Sequence, residues 1–216
     1  MSVIADPQLK HLLDGLHARS DGQVADLERF DRDRATESEL KAFLSDKLVA
    51  LDRDKAEFCY QLCRATDARR IVEIGTSFGI STLYLAAAVR DNIHASGGNG
   101  VVIATEYEPA KAKAARAHFA QAGLGDFIDL REGDLRETLD GIEGPIDFML
   151  VDIWIRMARP ALELVTPRLR RGAIVICDNT ARFRADYADY FACLESNGFR
   201  TMTLPFEGGL ELSIRC

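Results

Sequence analysis

The sequence predicts an α/β three-layer sandwich: a mostly parallel, seven-stranded sheet with a C-terminal antiparallel hairpin, preceded by N-terminal helices. Three observations predict it. From Arg70 onward, short β-branched apolar runs alternate with helical stretches. The first run, Ile71, Val72 and Ile74, breaks at Gly75 and passes through Gly75-Thr76-Ser77-Phe78-Gly79 into a helical pattern, the signature of a buried parallel strand, a tight turn and a helix. The tail, F-R-T-M-T-L-P-F-E-G-G-L-E-L-S-I-R, places two strand patterns on either side of a Pro/Gly turn.

Residues 1–66 read as helical. Leu9, Leu12, Leu13 and Leu16 form a stripe at helical spacing. The charged stretch D-L-E-R-F-D-R-D-R-A-T-E-S-E-L reads as a solvated face or a connection. Asp54 is a candidate cap for a helix over 55–66, with Phe58, Cys59 and Leu62 inward. This segment is expected to cover a ligand site or to form a dimer contact, rather than to fold as a domain of its own. Residues 67–216 form the single domain. Its strands are predicted at 71–74, 101–105, 127–130, 146–151, 173–177, 200–204 and 210–215. Helices are predicted at 109–122, where Pro109 suits the first turn and Gly123 the stop, at 161–169 and at 183–196.

At 216 residues the chain is long enough for one sizeable core, and 47% hydrophobic with 28% charged residues is ordinary for a globular protein. A net charge of −7, with no basic tract, gives no electrostatic reason to bind nucleic acid. No apolar run is long enough to span a membrane, and the N-terminus has no signal-peptide pattern. Five cysteines without framework spacing suit a reducing, cytoplasmic setting. Cys59 and Cys63, four apart, read better as two small core residues than as metal ligands.

Ligands in such sheets lie beyond the carboxyl ends of the strands. The first strand delivers Glu73 and the glycine turn, with Ser81 in the following helical turn. The second ends in Thr105-Glu106, and an acid there can accept both hydroxyls of a ribose. Gly133-Asp134-Leu135 follows the third, a carboxylate and an apolar side chain that suit an adenine. The fourth ends in Asp152 and the fifth in Asp178-Asn179. Each acid has a bland alternative as a cap or loop residue, but acids at four successive strand ends beside a glycine turn point jointly to a ligand. Ser77 stands where a dinucleotide fingerprint would carry its second glycine, and no phosphate-binding P-loop is present.

The glycine turn resembles the cofactor motif of class I S-adenosylmethionine-dependent methyltransferases. From Ile71 to Arg215 the chain is similar to the metal-dependent O-methyltransferases, the group that includes catechol and caffeoyl-coenzyme A O-methyltransferases. The matching pieces are V-E-I-G-T-S-F-G-I-S-T-L, A-T-E, E-G-D, I-D-F-M-L-V-D, G-A-I-V-I-C-D-N and L-P-F-E-G-G-L, in family order. The resemblance implies a Rossmann-like fold and a small-molecule hydroxyl acceptor, catechol-like in the family, with a homodimer as the assembly. It implies that Glu73, Gly75, Ser77, Gly79 and Ser81 surround the methionine part of S-adenosylmethionine, with Thr76 and Asp152 also binding the cofactor. Glu106 would then hold the ribose, and Asp134 and Leu135 the adenine. Asp152, Asp178 and Asn179 match the ligands of a divalent metal such as Mg²⁺, an oxygen-only set that such an ion prefers.

The sequence departs from the family in one place. The family's general-base lysine, three residues after the first metal aspartate, is Ile155 here. Lys55 matches another family lysine near the site and is the candidate substitute, with Asp152 the other catalytic candidate. Trp154 would wall the acceptor pocket or pack in the core. A metal-independent methyltransferase and a non-catalytic S-adenosylmethionine-binding protein are the alternatives.

Overall fold

The sheet is built from strands whose apolar side chains point alternately to two helical layers. β1 (Arg70–Ile74) sends Ile71 to one layer and Val72 and Ile74 to the other. The remaining strands are β2 (Val101–Glu106), β3 (Ile128–Glu132), β4 (Ile146–Val151), β5 (Leu169–Asp178), β6 (Phe199–Leu204) and β7 (Leu210–Arg215). In β4, Phe148 and Leu150 face the first layer, and Met149 and Val151 the second. Burial on both faces is what central parallel strands require. The order across the sheet is β3-β2-β1-β4-β5-β7-β6. β1 to β5 pair in parallel, and β7 runs antiparallel to both β5 and β6. The order reverses between β1 and β4, so a crevice opens beyond the carboxyl ends of those strands.

This computed structural model describes residues 2–31 and 34–216. Among them, α1 (Pro7–Asp21), α4 (Arg53–Ala65), α5 (Ile80–Ser96) and α6 (Pro109–Gln121) contribute to the core on one face of the sheet. α7 (Leu135–Thr138), α8 (Ile155–Val165) and α9 (Ala188–Ser196) contribute to the core on the other. The leucine stripe of α1 buries Leu9, Leu13 and Leu16, with Leu12 half-buried. α2 (Val24–Arg29) and α3 (Glu37–Leu44) carry much of the charged stretch, whose described residues are exposed or half-buried; Arg32 and Asp33 within it lie outside the described residues. Cys59 and Cys63 are free and buried, as core residues would be. No helix among the described residues is long and apolar enough to cross a membrane.

Several boundaries differ from the sequence reading, each for a local reason. The helix expected at 161–169 spans Ile155–Val165 instead and runs through Pro160. Pro160 lies mid-helix and removes one bond of the ladder, and burial of Ala158, Ala161, Leu162 and Val165 holds the helix across it. The helix expected from Phe183 begins at Ala188, because residues 181–187 form successive turns. Asp52, not Asp54, is the residue flanking the start of α4; Asp54 Oδ1 accepts only from the Lys55 amide (2.8 Å). The Asp52 side chain makes no cap hydrogen bond and meets Lys55 instead.

Candidate active site

The glycine turn after β1 is fixed by its neighbours. Gly75 has φ +96°, and a Cβ there would stand 2.0 Å from the Asp152 carbonyl oxygen at the end of β4. Only glycine combines that conformation with that approach. Ser77 also has positive φ (50°), so this position has a glycine-like backbone without being glycine. Its amide donates to Glu106 Oε2 at 2.6 Å, and Glu106 Oε1 accepts from the Glu108 amide at 2.7 Å. The acid at the end of β2 is thereby oriented beside the turn, and its oxygens keep further lone pairs for hydroxyl donors. Gly79 opens α5 and packs against Phe119 of α6.

Glu73 is fully buried beneath the turn. Its Oε2 accepts from Thr76 Oγ1 at 3.1 Å and from Thr82 Oγ1, tying β1 to the turn and to α5. Burial pushes its pKa up to about 7, the hydroxyls of Ser81, Thr82 and Thr76 pull it back, and the Glu106 charge adds to the rise. Its Oε1 is buried with no hydrogen-bond partner, an oxygen available to a ligand donor.

The turn forms one wall of a pocket that Asp152 and residues Leu48 to Leu51 also line. The latter segment crosses the pocket as a strap, pinned from the corner after α1. Gln23 Oε1 accepts from the Leu48 amide (3.1 Å), and Gln23 Nε2 donates to the Leu48 carbonyl (3.0 Å). Ser20 Oγ accepts from the Ala50 amide (3.2 Å). Gln23→Ala leaves the Leu48 N–H and C=O without these partners, and is expected to cost about 1–3 kcal/mol in chemical denaturation and to weaken ligand binding in the pocket roughly tenfold by calorimetry. Neither Gln23 nor Ser20 carries a signal in the sequence, because their partners lie 25 and 30 residues away.

At the end of β3 the arrangement is less open. Asp134 caps α7 through the Arg136 amide (2.9 Å) and pairs with the Arg136 guanidinium, which holds its carboxyl down at about 2. Leu135 is buried in the second core. Asp134 therefore remains a carboxylate at the expected strand end, but one already occupied as a cap and ion pair.

The fourth and fifth strand ends meet around a buried lysine. Lys55 Nζ lies 2.8 Å from Asp178 Oδ1 and 2.7 Å from Asp52 Oδ2, with the lysine only 2% exposed. Lys55 and Asp178 thus form an ion pair in the interior of the fold. Burial alone would lower the lysine pKa, but Asp178 and Asp52 outweigh it and hold the pKa above its ordinary value. Lys55 is therefore an ammonium, and a poor base. Asp152 is raised by burial and by the charges of Asp178 and Glu73, with Lys55 opposing. Asp178 is raised by burial, again with Lys55 opposing.

The trio that resembles a metal set does not fit a divalent ion in this arrangement. Mg²⁺ needs oxygens converging at about 2.0–2.1 Å in near-octahedral geometry. Both Asp178 oxygens are engaged: Oδ1 meets the Lys55 ammonium, and Oδ2 accepts from Asn179 Nδ2 at 2.8 Å, so Asn179 presents its nitrogen there. Asn179 is held in that left-handed conformation (φ 61°). The turn before β7 closes over it, with the amides of Ala181 and Arg182 donating to the Gly208 carbonyl at 3.0 and 2.9 Å. Among the described residues, no group of three His, Cys, Asp or Glu side chains is arranged to hold a metal. Ile155, at the position of the family base, is the half-buried first residue of α8 and packs against the second core. Trp154, 39% exposed, lies outside the core.

Comparison with known proteins agrees with this geometry. A family profile described as a methyltransferase domain matches residues 72–180, from β1 through the end of β5. A catechol O-methyltransferase of Mycobacterium tuberculosis is 31% identical over 135 residues, covering 62% of this chain and 58% of that protein. Caffeoyl-CoA O-methyltransferase 1 of Eucalyptus globulus is 27% identical over 142 residues, covering 62% of this chain and 53% of that protein. The chain thus spans little more than half the length of these relatives. A crystal structure of an O-methyltransferase from Bacillus cereus in complex with S-adenosylhomocysteine (SAH) superposes with a TM-score of 0.71 at 20% identity, over 99% of this chain and 93% of that one, which fixes the likeness of fold. With the profile matching half of its length, including the glycine turn and the ends of β2, β4 and β5, the chain belongs to the methyltransferase domain family.

Proposed function

We propose that this protein is an S-adenosylmethionine-dependent O-methyltransferase acting on a small hydroxylated acceptor. The observation that carries the reading is the turn at Gly75. There the backbone of β1 lies against the Asp152 carbonyl, the Ser77 amide is bound by Glu106 of β2, and the strap at 48–51 roofs the pocket. That is a turn only glycine can make, packed on the end of β4, and beside it stands the acid that in this reading holds the ribose. The relatives named for catechol and caffeoyl-CoA O-methylation support oxygen as the acceptor atom.

In this reading Glu106 accepts from the ribose hydroxyls, and Glu73 Oε1 accepts from the amino group of the methionine part. The peptides of Thr76 and Ser77 and the Ser81 hydroxyl line the same end of the pocket. Asp134 and Leu135 border the adenine, with Arg136 moving off the carboxylate if it is to accept from the base. S-adenosylmethionine, when bound, supplies an electrophilic methyl group on sulfur. Asp152 lines the pocket beside the turn and is the group assigned to take the acceptor's proton. The strap and Phe78 exclude water around the reacting oxygen. Calorimetric titration tests the reading: SAH is expected to bind one to one and NADH not at all. Glu106→Gln is expected to weaken SAH about tenfold, the scale of one charge-assisted hydrogen-bond pair. Binding of NADH in place of SAH would overturn it.

A further inference from the structure

We infer that the Lys55 ammonium occupies the place of the divalent cation, so that this chain holds an acceptor oxygen by a built-in positive charge and binds no Mg²⁺ at Asp152, Asp178 and Asn179. The inference rests on the methyltransferase reading for its meaning, and on four observations for its substance. Lys55 Nζ meets Asp178 Oδ1 at 2.8 Å, and Oδ2 accepts from Asn179 Nδ2, so both oxygens of that carboxylate are engaged. Asp52 Oδ2, at 2.7 Å, holds the ammonium from its other side, so the lysine is clamped rather than merely attracted. Lys55 projects from the first turn of α4 and is buried with Asp178, so the pair is shielded from salt and solvent. Asn179 presents Nδ2, not oxygen, to Asp178.

These fit together chemically. A divalent cation and an ammonium cannot share one carboxylate oxygen without strong mutual repulsion. An ammonium carries three donors, and two carboxylate oxygens lie against this one. It therefore keeps at least one donor for an anionic acceptor oxygen. A metal chelates two neighbouring oxygens, whereas an ammonium has no such requirement. The sequence departure at Ile155 agrees: the family lysine that would work beside a metal is absent, and the positive charge at the site comes from α4.

The test is calorimetric titration of Mg²⁺ into the protein with and without SAH, together with thermal melts, for the wild type, Lys55→Ala, Lys55→Arg and Lys55→Ala/Asp178→Asn. The wild type and Lys55→Arg are expected to show no saturable binding up to about 10 mM Mg²⁺ and no change in Tm. Lys55→Ala vacates the position and is expected to take up one Mg²⁺ and to melt higher in its presence. The double variant is expected to lose that gain. Saturable Mg²⁺ binding by the wild type that Asp178→Asn removes would overturn the inference. So would a Lys55→Ala protein that binds SAH but no Mg²⁺. Should Lys55→Ala fail to fold without the ion, its rescue by Mg²⁺ supports the inference and failure of rescue counts against it. Loss of SAH binding by the wild type would instead count against the methyltransferase reading, so the two failures are distinct.

Discussion

Gly75→Ala is expected to weaken SAH binding at least a hundredfold, roughly 3 kcal/mol of binding free energy, and to destabilise the fold by about 3 kcal/mol. Two independent terms act at this position. The backbone has φ +96°, which L-residues adopt only under strain, and the new methyl would stand 2.0 Å from the Asp152 carbonyl oxygen. Neither atom can yield cheaply, because the Asp152 amide donates to the Ile74 carbonyl at 3.0 Å and β1 and β4 are paired along their length. Relief must come from moving the turn, and the turn carries the Ser77 amide that aligns Glu106. Stability and cofactor affinity should therefore fall together, measured by urea unfolding and by calorimetry. A variant with normal SAH affinity would mean that the cofactor lies elsewhere.

Lys55→Met, which keeps volume but removes the charge, is expected to cost about 3–5 kcal/mol at neutral pH, the usual cost of breaking a buried pair from one side. Asp178 would be left buried with no counter-charge, and Asp152 would lose the one charge that opposes its rise. The loss should depend on pH with a definite sign. Both carboxyls are already raised above their unfolded values in the wild type, and the substitution raises them further. A carboxyl raised on folding stabilises the native state below its unfolded pKa, and that contribution fades as pH climbs through the folded one. The gap between Lys55→Met and wild type should therefore narrow on acidification towards pH 4, the ordinary carboxylate range. Adding Asp178→Asn to Lys55→Met should recover most of the stability at neutral pH. A single variant as stable as wild type across that range would show that the pair carries little weight.

The sequence by itself determined the sheet, its parallel centre and its closing hairpin. Alternating β-branched runs can be buried on two faces in only a few ways, and glycine at 75 and 79 marks the turn at which a helix leaves the first strand. It also brought Glu73, Glu106, Asp134, Asp152 and Asp178 to the correct end of the sheet, since strand ends are local features. What only the tertiary structure decided is how those acids are occupied. Lys55 and Asp178 are far apart in the chain, and their contact at 2.8 Å exists only because α4 and β5 contribute to the same core. Asp134 is taken up by the Arg136 next to it, and Gln23 pins a strap from another loop. A carboxylate in the sequence announces a charge; whether it meets a metal, an ammonium or a helix end depends on which side chain arrives within about 3 Å, and folding alone fixes that.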